Sequence, residues 1–256
     1  MQLIFHTELA TGYSSASQKI RVLTEDWVQR SIFCPNCGTN RVSQLPNNRP
    51  VADFFCSSCN EEYELKSKGG NIGKKIVDGA YGTMIERLDS SKNPNFFMLS
   101  YNLTTQAVNS FLCIPKHFFV PAIIERRKPL SKHARRAGWV GCNILLDHIP
   151  ESGKVYYVRN GVKLPTEEIL GKWAKTLFLR DENEVSTKGW LLDVMCVIDK
   201  IGKPDFSLED VYQFEPELAT LHPDNKHVKD KIRQQLQVLR DKNYLEFVSR
   251  GRYRLI

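Results

Sequence analysis

No stretch of the chain approaches the roughly 18 uninterrupted apolar residues that a membrane-spanning helix requires. The first residues lack the basic segment and long apolar run of a signal peptide, and internal repeats and low-complexity tracts are also missing. Because 41% of the 256 residues are hydrophobic, the chain has enough apolar side chains for one large domain or two modest ones. We therefore expect a soluble, folded, cytoplasmic protein with no membrane partner.

Acidic residues are the scarcer charged type, with 29 of them against 36 basic ones, for a net charge of +7. The excess lies in two segments. Residues 226–256 hold nine basic and three acidic residues, and residues 126–136 hold six basic and no acidic ones. A net charge alone says little about partners, but two basic patches favour a polyanion such as nucleic acid.

The seven cysteines are an odd number, and without an export signal they indicate a reducing compartment. Four of them form two C-x₂-C pairs separated by 18 residues, a spacing typical of a structural, tetrahedral zinc site: Cys34, Cys37, Cys56 and Cys59. Two disulfides or four unrelated core cysteines are the alternatives. The other three lie in apolar segments and are predicted to be core residues: Cys113, Cys142 and Cys196.

The segment before residue 184 alternates between helical and strand-like patterns, which predicts an α/β or α+β domain over residues 1–183. Ile20, Leu23, Trp27 and Val28 recur at helical spacing, with acidic residues after Thr24 of the kind that a helix N-terminus favours. Further patterns predict a helix near residues 76–88 and four strands, at residues 51–56, 63–67, 96–101 and 107–114.

From the polar stretch 182–186 onward the pattern predicts a second domain, over residues 184–256. Its first helix has an apolar stripe from Leu191 to Ile201, and a second helix begins after Ser207 as N-cap. The stripe of a third helix is formed by Val228, Ile232, Leu236 and Leu239. Two short strands flanking residues 249–252 follow. Three helices and a hairpin indicate a winged helix-turn-helix domain.

Two carboxylates and a lysine flank the second cysteine pair. If residues 56–59 form the tip of a symmetric antiparallel hairpin, Asp53 lies directly opposite Glu64, at a Cα separation of about 4.5 to 5.5 Å. Lys66 shares their face because strand side chains alternate with a period of two. Close carboxylates suit Mg²⁺, and a lysine beside them can orient or deprotonate a water, which points to phosphodiester hydrolysis. The alternative is a hairpin surface of solvated charges, and a register slip of one residue would break the arrangement.

The combined motifs resemble those of the PD-(D/E)xK nuclease superfamily, and within it those of the DpnI-type methyl-directed restriction endonucleases. The resemblance covers nearly the whole chain and rests on residues 17–19 (SQK), 34–38 (CPNCG), 48–54 (NRPVADF), 64–68 (ELKSK), 135–139 (RRAGW) and 231–240 (KIRQQLQVLR). It implies a restriction-endonuclease-like α/β domain with a four-cysteine zinc ribbon and a winged-helix domain. The implied activity is a monomer's cleavage of double-stranded GATC DNA whose adenine carries an N6-methyl group, with both domains reading the methylation.

The resemblance also implies roles for individual residues. Asp53 and Glu64 would hold Mg²⁺ together with the backbone carbonyl of Leu65, and Lys66 would position the attacking water. Pro50, three residues before Asp53, departs from the signature but is not a catalytic group.

Glu25 on the first helix has two interpretations. It is either the additional carboxylate that some members of the superfamily use or an acid that is stabilised by the helix dipole. The second interpretation is the favoured one.

The third C-terminal helix is a candidate for reading DNA, because in a winged helix it enters the major groove, where Arg pairs with guanine and Gln with adenine. Its polar face carries Lys226, Asp230, Arg233, Gln234 and Gln237. The wing adds Arg250 and Arg252. The alternative is that any exposed helix carries such residues.

The first domain has a second candidate surface in residues 126–139. Arg135 and Arg136 are among its basic residues and would grip phosphates, while Trp139 would supply a flat apolar wall for an N-methyl group. The alternative for Trp139 is a place in the core.

Two other functions remain open. A zinc-ribbon, winged-helix regulator would bind DNA without cutting it, but would leave Asp53, Glu64 and Lys66 on one face as a coincidence. An RNA-processing nuclease would keep these three residues and change the substrate.

Overall fold

The computed structural model describes residues 1–46, 52–90, 93–182 and 184–256. Pro50 and Val51 lie outside the described residues, as does Asn183 in the predicted domain boundary. None of the described helices is both long and apolar enough to cross a membrane.

The chain forms two compact units. The first, here called the N-terminal unit, comprises Met1–Asp147 and Gly153–Ala174, and the C-terminal unit comprises His148–Ser152 and Lys175–Ile256. A division after residue 183 assigns residues 148–152 and 175–182 to the first domain, whereas in the structure both segments belong to the C-terminal unit.

The N-terminal unit is a mixed α/β structure. Its helices are α1 (Ala16–Ser31), α2 (Tyr81–Asp89) and α3 (Thr166–Ala174). Its strands are β1 (Ser43–Gln44), β2 (Phe54–Phe55), β3 (Glu62–Gly69), β4 (Lys75–Ala80), β5 (Asn95–Asn102), β6 (Ala107–Ile114), β7 (Ile124–Arg126), β8 (Gly141–Leu145), β9 (Val155–Arg159) and β10 (Val162–Lys163).

Two sheets organise these strands. The larger has the order β1-β2-β3-β5-β6-β9-β10, and within it β3 and β5 run parallel while the other neighbouring strands pair antiparallel. The smaller is antiparallel, with the order β4-β8-β7. The chain passes from β3 through β4 and α2 to β5. The connection between the two parallel strands therefore includes one strand of the smaller sheet.

Aromatic side chains fill the core against the larger sheet. Trp27 of α1 is 0% exposed and meets Phe111 of β6 edge-on, with ring centroids 5.2 Å apart. Tyr63 of β3 stacks on Phe97 of β5 at 4.3 Å. Burial of such large rings is among the strongest contributions to a core, so β3 lies on a well-packed base.

The helical prediction for residues 76–88 is half wrong. Residues up to Ala80 form β4, in which Ile76 and Asp78 are buried while Val77 is exposed, and the helix begins only at Tyr81. The strand forms because β4 pairs along its length with β8. That partner lies far away along the chain, so local periodicity does not report it.

The helix α1 also begins earlier than its acidic residues indicate. It starts at Ala16, and Thr24 lies in its middle, where its hydroxyl donates to the carbonyl of Ile20 at 2.8 Å. Leu23, Trp27 and Val28 are buried as the helical spacing predicts.

The C-terminal unit combines helices with a small antiparallel sheet. Its helices are α4 (Val185–Ile201), α5 (Leu208–Tyr212), α6 (Glu215–Leu221) and α7 (Val228–Asp241), and its strands are β11 (Asp205–Ser207), β12 (Leu245–Ser249) and β13 (Arg252–Leu255). The sheet has the order β11-β13-β12. Helices followed by a two-stranded wing are the arrangement of a winged helix-turn-helix.

The predicted second helix is in fact two short helices. Ser207 caps α5 in a capping box with Asp210, as the sequence predicts. The chain then starts again as α6, which has Pro216 in its first turn, a position that proline favours. In α7 the predicted stripe of Val228, Ile232, Leu236 and Leu239 is buried.

Candidate active site

Four cysteine side chains converge beside the β2–β3 hairpin. Cys34 and Cys37 lie in the turn after α1, and Cys56 and Cys59 lie in the turn that joins β2 to β3. Their sulfur atoms all lie within 4.8 Å of one another, with Cys34 Sγ 3.5 Å from Cys59 Sγ and Cys37 Sγ 3.5 Å from Cys56 Sγ. A tetrahedral Zn²⁺ site with bonds of about 2.3 Å separates its sulfurs by about 3.8 Å. The cluster therefore has the donor set and the size of such a site.

The alternatives for these cysteines are now decided. All four thiols are free, which excludes the two disulfides, and their convergence excludes four unrelated core residues. Of the other three, Cys113 and Cys142 are buried as predicted, whereas Cys196 is partly exposed and donates to the carbonyl of His148. The prediction that Cys196 is a core residue is wrong in this respect, because its position on α4 lies at the edge of the buried stripe.

The surroundings of the cluster differ between its thiols. Burial opposes ionisation of Cys37, but hydrogen bonds with Thr39 outweigh it and lower the pKa of Cys37 to about 6. Burial raises the pKa of Cys34 instead. A metal ligand must be a thiolate, so a bound cation would supply the positive charge that the buried Cys34 needs.

The β2–β3 hairpin has the register that the sequence predicts, with Phe54 paired to Tyr63. One residue before Phe54, the N–H of Asp53 donates to the carbonyl of Tyr63 at 2.9 Å. The Oδ2 atom of Asp53 accepts the N–H of Leu65 at 2.7 Å. The backbone of Asp53 is therefore held at Tyr63 and its carboxylate at Leu65, one residue on either side of Glu64.

Glu64 and Lys66 lie on the same face of β3, with Lys66 Nζ 2.5 Å from Glu64 Oε1. Burial raises the pKa of Glu64 above its ordinary value, although the charge of Lys66 opposes this. Burial alone would lower the pKa of Lys66, but the carboxylates of Glu64 and Asp78 outweigh it and raise that pKa. The lysine is thus held as an ammonium between two carboxylates.

The other oxygen of Glu64 is available to a ligand. Within the described part of the chain, Glu64 Oε2 is buried and accepts no hydrogen bond, and Arg87 Nη1 is 3.5 Å away. The Arg87 guanidinium offsets part of the charge of this oxygen, which still accepts no hydrogen bond within the described residues and so keeps its capacity to bind a further cation. Together with Asp53, this oxygen fits the hard-oxygen ligand set of Mg²⁺.

Two residues of the site escape the sequence analysis, Asp78 on β4 and Arg87 on α2. Asp78 Oδ1 forms an ion pair with Lys66 Nζ, and Arg87 faces Glu64. The buried–exposed alternation along β4 is a signal for Asp78, but it is masked by the helical interpretation of the same residues. For Arg87, no local pattern in the sequence indicates the contact.

Glu25 lies in the middle of α1 and not in its first turn, so the helix-dipole interpretation is wrong. Its carboxylate is buried and accepts from Arg21 at 2.6 Å and from Gln44 Nε2 at 2.9 Å. The charge of Asp53 also acts on Arg21, whose pKa is raised first by its hydrogen bond with Glu25. Glu25 therefore forms an ion pair with Arg21, and the charge of this arginine interacts with that of Asp53.

The family described as Dam-replacing, DpnI, matches residues 1–182, and the Dam-replacing helix-turn-helix domain matches residues 186–255. The chain belongs to the Dam-replacing family. The match to the DpnI family implies a restriction endonuclease, and the C-terminal unit contains the family's helix-turn-helix domain, which implies that the protein binds DNA.

In this Dam-replacing protein the β7–β8 loop, residues 127–140, carries the candidate DNA surface of the N-terminal unit. Arg135 and Arg136 are exposed and Trp139 is only partly buried, so Trp139 is not a core residue. The Arg136 guanidinium lies 4.6 Å from the centre of the indole ring. Leu130 and Trp139 are joined across the loop by a backbone hydrogen bond of 2.9 Å. The loop thus presents a flat ring beside positive charge.

The helix-turn-helix domain of this family member presents the second surface on α7, where Arg233, Gln234 and Gln237 are exposed opposite the buried stripe. Arg233 forms an ion pair with Asp230. Lys226 does not lie on the helix as predicted, because α7 begins only at Val228, and its Nζ donates to the carbonyl of Pro223 at 3.2 Å.

The wing between β12 and β13 presents Arg250 and Arg252, both exposed. Gly251 between them has a φ of +69°, in the left-handed region that glycine adopts without strain. The turn therefore holds the two arginines at the tip of a short, defined hairpin.

Proposed function

We propose that this member of the Dam-replacing family hydrolyses double-stranded DNA at GATC sites carrying N6-methyladenine, with Mg²⁺ as its catalytic ion. The observation that carries the proposal is the assembly of Asp53, Glu64 and Lys66 on one hairpin of a chain whose family is methyl-directed. A regulator that only binds DNA has no use for a partly buried lysine held between two carboxylates, because desolvating such charges costs stability.

The proposed ligands of Mg²⁺ are Asp53, Glu64 and the backbone carbonyl of Leu65. When bound there, the ion would stabilise charge on the phosphate and lower the pKa of a water. Lys66 holds the attacking water and offsets the charge that develops on the phosphate oxygens. The hydrogen bond from Leu65 N–H orients the Asp53 carboxylate before DNA binds. We assign this arrangement to the PD-(D/E)xK fold.

We further propose that Zn²⁺ occupies the four-cysteine cluster. Four thiolates complete a tetrahedral shell and leave no position for water, so this ion would have a structural role. Its place at the turn between β2 and β3 suits it to hold the hairpin that carries the catalytic residues.

Both units would read DNA. Arg233, Gln234 and Gln237, which are exposed on α7, would contact bases in the major groove, and Lys226, Arg250 and Arg252 would contact phosphates. In the β7–β8 loop, Arg135 and Arg136 would contact phosphates while Trp139 packs on the N6-methyl group. We propose that one copy of the chain carries out the reaction, in the cytoplasm, where incoming DNA arrives.

The proposal is tested by digestion of two plasmids of identical sequence, one with methylated and one with unmethylated GATC adenines. We expect Mg²⁺-dependent linear products from the methylated plasmid only. Cleavage of both plasmids or of neither contradicts the proposal. Binding of methylated DNA without cleavage favours the regulator, and cleavage of duplex RNA favours an RNA-processing nuclease.

The Asp53→Ala variant provides the control for contamination. We expect it to lose cleavage because a metal ligand is gone, and to keep its binding of methylated DNA in a mobility-shift assay. Normal cleavage by this variant would remove Asp53 from the active site.

A further inference from the structure

Asp78 stands apart from the predicted catalytic residues because it belongs to the other sheet. Its side chain is 4% exposed, and its Oδ1 atom forms an ion pair with Lys66 Nζ. Lys66 is on β3 of the larger sheet, whereas Asp78 is on β4 of the smaller one, opposite Cys142 of β8. The ion pair therefore joins the two sheets at the catalytic lysine.

A lysine side chain needs such a partner to be held in one place. Its ammonium lies at the end of a flexible stem with four carbons, so a single contact leaves it several positions. Glu64 supplies one contact from the same strand, but Glu64 is also the proposed metal ligand. Asp78 is the carboxylate that keeps its ion pair with Lys66 when Glu64 binds a metal.

We propose that Asp78 is the positioning residue for Lys66, which holds the ammonium at the attacking water while Asp53 and Glu64 bind the metal. This inference rests on the proposed function and deepens it, since it assigns a fourth residue to the site. Asp78 acts through Lys66 and does not bind the metal.

The first test compares steady-state cleavage by the wild type and by Asp78→Asn, which keeps the size of the side chain and removes its charge. We expect kcat to fall about 10- to 100-fold, because small displacements of a catalytic group have effects of this order. KM and the Kd for methylated DNA are expected to change by less than about threefold, because the substitution leaves the contacts that bind DNA in the ground state unchanged. The Mg²⁺ concentration that gives half-maximal rate should also stay the same.

A matched control is Glu125→Gln. Glu125 lies on β7 of the same small sheet and pairs with Lys75 at 2.5 Å, but its side chain is 37% exposed and it makes no contact with Lys66 in the described part of the chain. We expect this variant to cleave as the wild type does.

The second test needs no activity. Urea unfolding is measured for Lys66→Met, Asp78→Asn and the double variant, in the full chain. We expect each single change to lower the unfolding midpoint, because Lys66→Met leaves the buried Asp78 carboxylate without its cation and Asp78→Asn leaves Lys66 with Glu64 alone. The decrease in the free energy of unfolding should be smaller in the double variant than the sum of the decreases in the two single variants. For Lys66→Met combined with Glu125→Gln, the decreases should add up.

Each outcome decides a separate point. A wild type that cuts neither plasmid removes the proposed function and with it the catalytic role of Asp78, and the unfolding cycle still decides whether the two side chains are coupled. If the wild type cuts but Asp78→Asn keeps its kcat, the positioning role is overturned and the function stands. A rise of about tenfold or more in the Mg²⁺ requirement would make Asp78 a metal ligand instead. An additive cycle would refute the coupling.

Discussion

Gly141 illustrates how the absence of one side chain positions another. A Cβ atom at this residue would lie 2.8 Å from two ring carbons of Trp139, which is closer than real contacts allow. The indole therefore lies across the bare Cα of Gly141, at the start of β8, and its place depends on that glycine. Glycine is required at this position because of the contact with the indole ring and not because of the backbone conformation.

Gly141→Ala is predicted to displace the indole and weaken the preference for methylated DNA. Overpacking of this kind costs about 1–3 kcal/mol, which corresponds to a loss of about 10- to 100-fold if it falls on methyl recognition. The measurement is the ratio of cleavage rates on methylated and unmethylated plasmid.

The matched control for Gly141 is Gly171→Ala on α3. Nothing lies within 4 Å of the added methyl at that position, and alanine suits a helix better than glycine. We expect an unchanged ratio there. An unchanged ratio in Gly141→Ala as well would remove Trp139 from methyl reading.

At the scale of elements, the small sheet β4-β8-β7 connects the loop proposed to read DNA with the residues proposed to be catalytic. Asp78 and Ala80 of β4 pair with Cys142 and Gly141 of β8, and the β7–β8 loop begins directly beyond. Asp78, which pairs with Lys66, is thus two residues before Ala80. Ala80 lies opposite Gly141, the residue against which the Trp139 ring packs. The β7–β8 loop is therefore linked to Lys66 through the pairing of β8 with β4 and the ion pair of Asp78 with Lys66.

The sequence analysis succeeds where the contacts are local. Two C-x₂-C pairs and a symmetric hairpin place the cysteines, Asp53, Glu64 and Lys66, because each relation spans few residues. It fails for β4, whose partner strand is distant along the chain, and Asp78 is lost with it. Residues 208–221 fail for another reason, because the break between α5 and α6 depends on Pro216 and not on the apolar pattern.

Loss of the proposed zinc ion from the four-cysteine cluster is predicted to loosen the β2–β3 hairpin. Cys56→Ser should abolish stoichiometric zinc in elemental analysis and lower the free energy of unfolding by about 4 kcal/mol or more, as loss of a structural metal does. Cleavage should fall even in excess Mg²⁺, because Asp53 lies three residues before Cys56. Cys196→Ser on α4 is the control and should keep zinc and activity. Zinc-free wild type with full activity would contradict the assignment.

At the scale of the whole molecule, Tyr244 connects the stability of the C-terminal unit to pH. It is 7% exposed, after α7, and meets Phe178 edge-on at 6.2 Å. Burial raises the pKa of Tyr244 to about 12, above its ordinary value of 10. The folded state thus keeps the phenol neutral at a pH where the unfolded chain ionises.

The C-terminal unit is therefore predicted to lose stability in alkali. The contribution of neutral Tyr244 is complete below about pH 10 and is lost as the pH rises toward about 12, at up to about 1.4 kcal/mol per pH unit. Urea unfolding of the wild type and of Tyr244→Phe should diverge in this window, with a shallower decline in the variant. Parallel declines would show that Tyr244 is not buried as described.

The path of the chain through the two units limits which recombinants between this protein and its relatives can fold. Residues 148–152 belong to the C-terminal unit although they lie between two segments of the N-terminal one, so the chain passes between the units three times. A chimera joined near residue 183 would take most of its C-terminal unit from one parent, but residues 148–152 and 175–182 of that unit from the other parent. We therefore expect new target preferences in this lineage to arise by substitutions on α7 and the β7–β8 loop, and recombinants with a single crossover to be unstable.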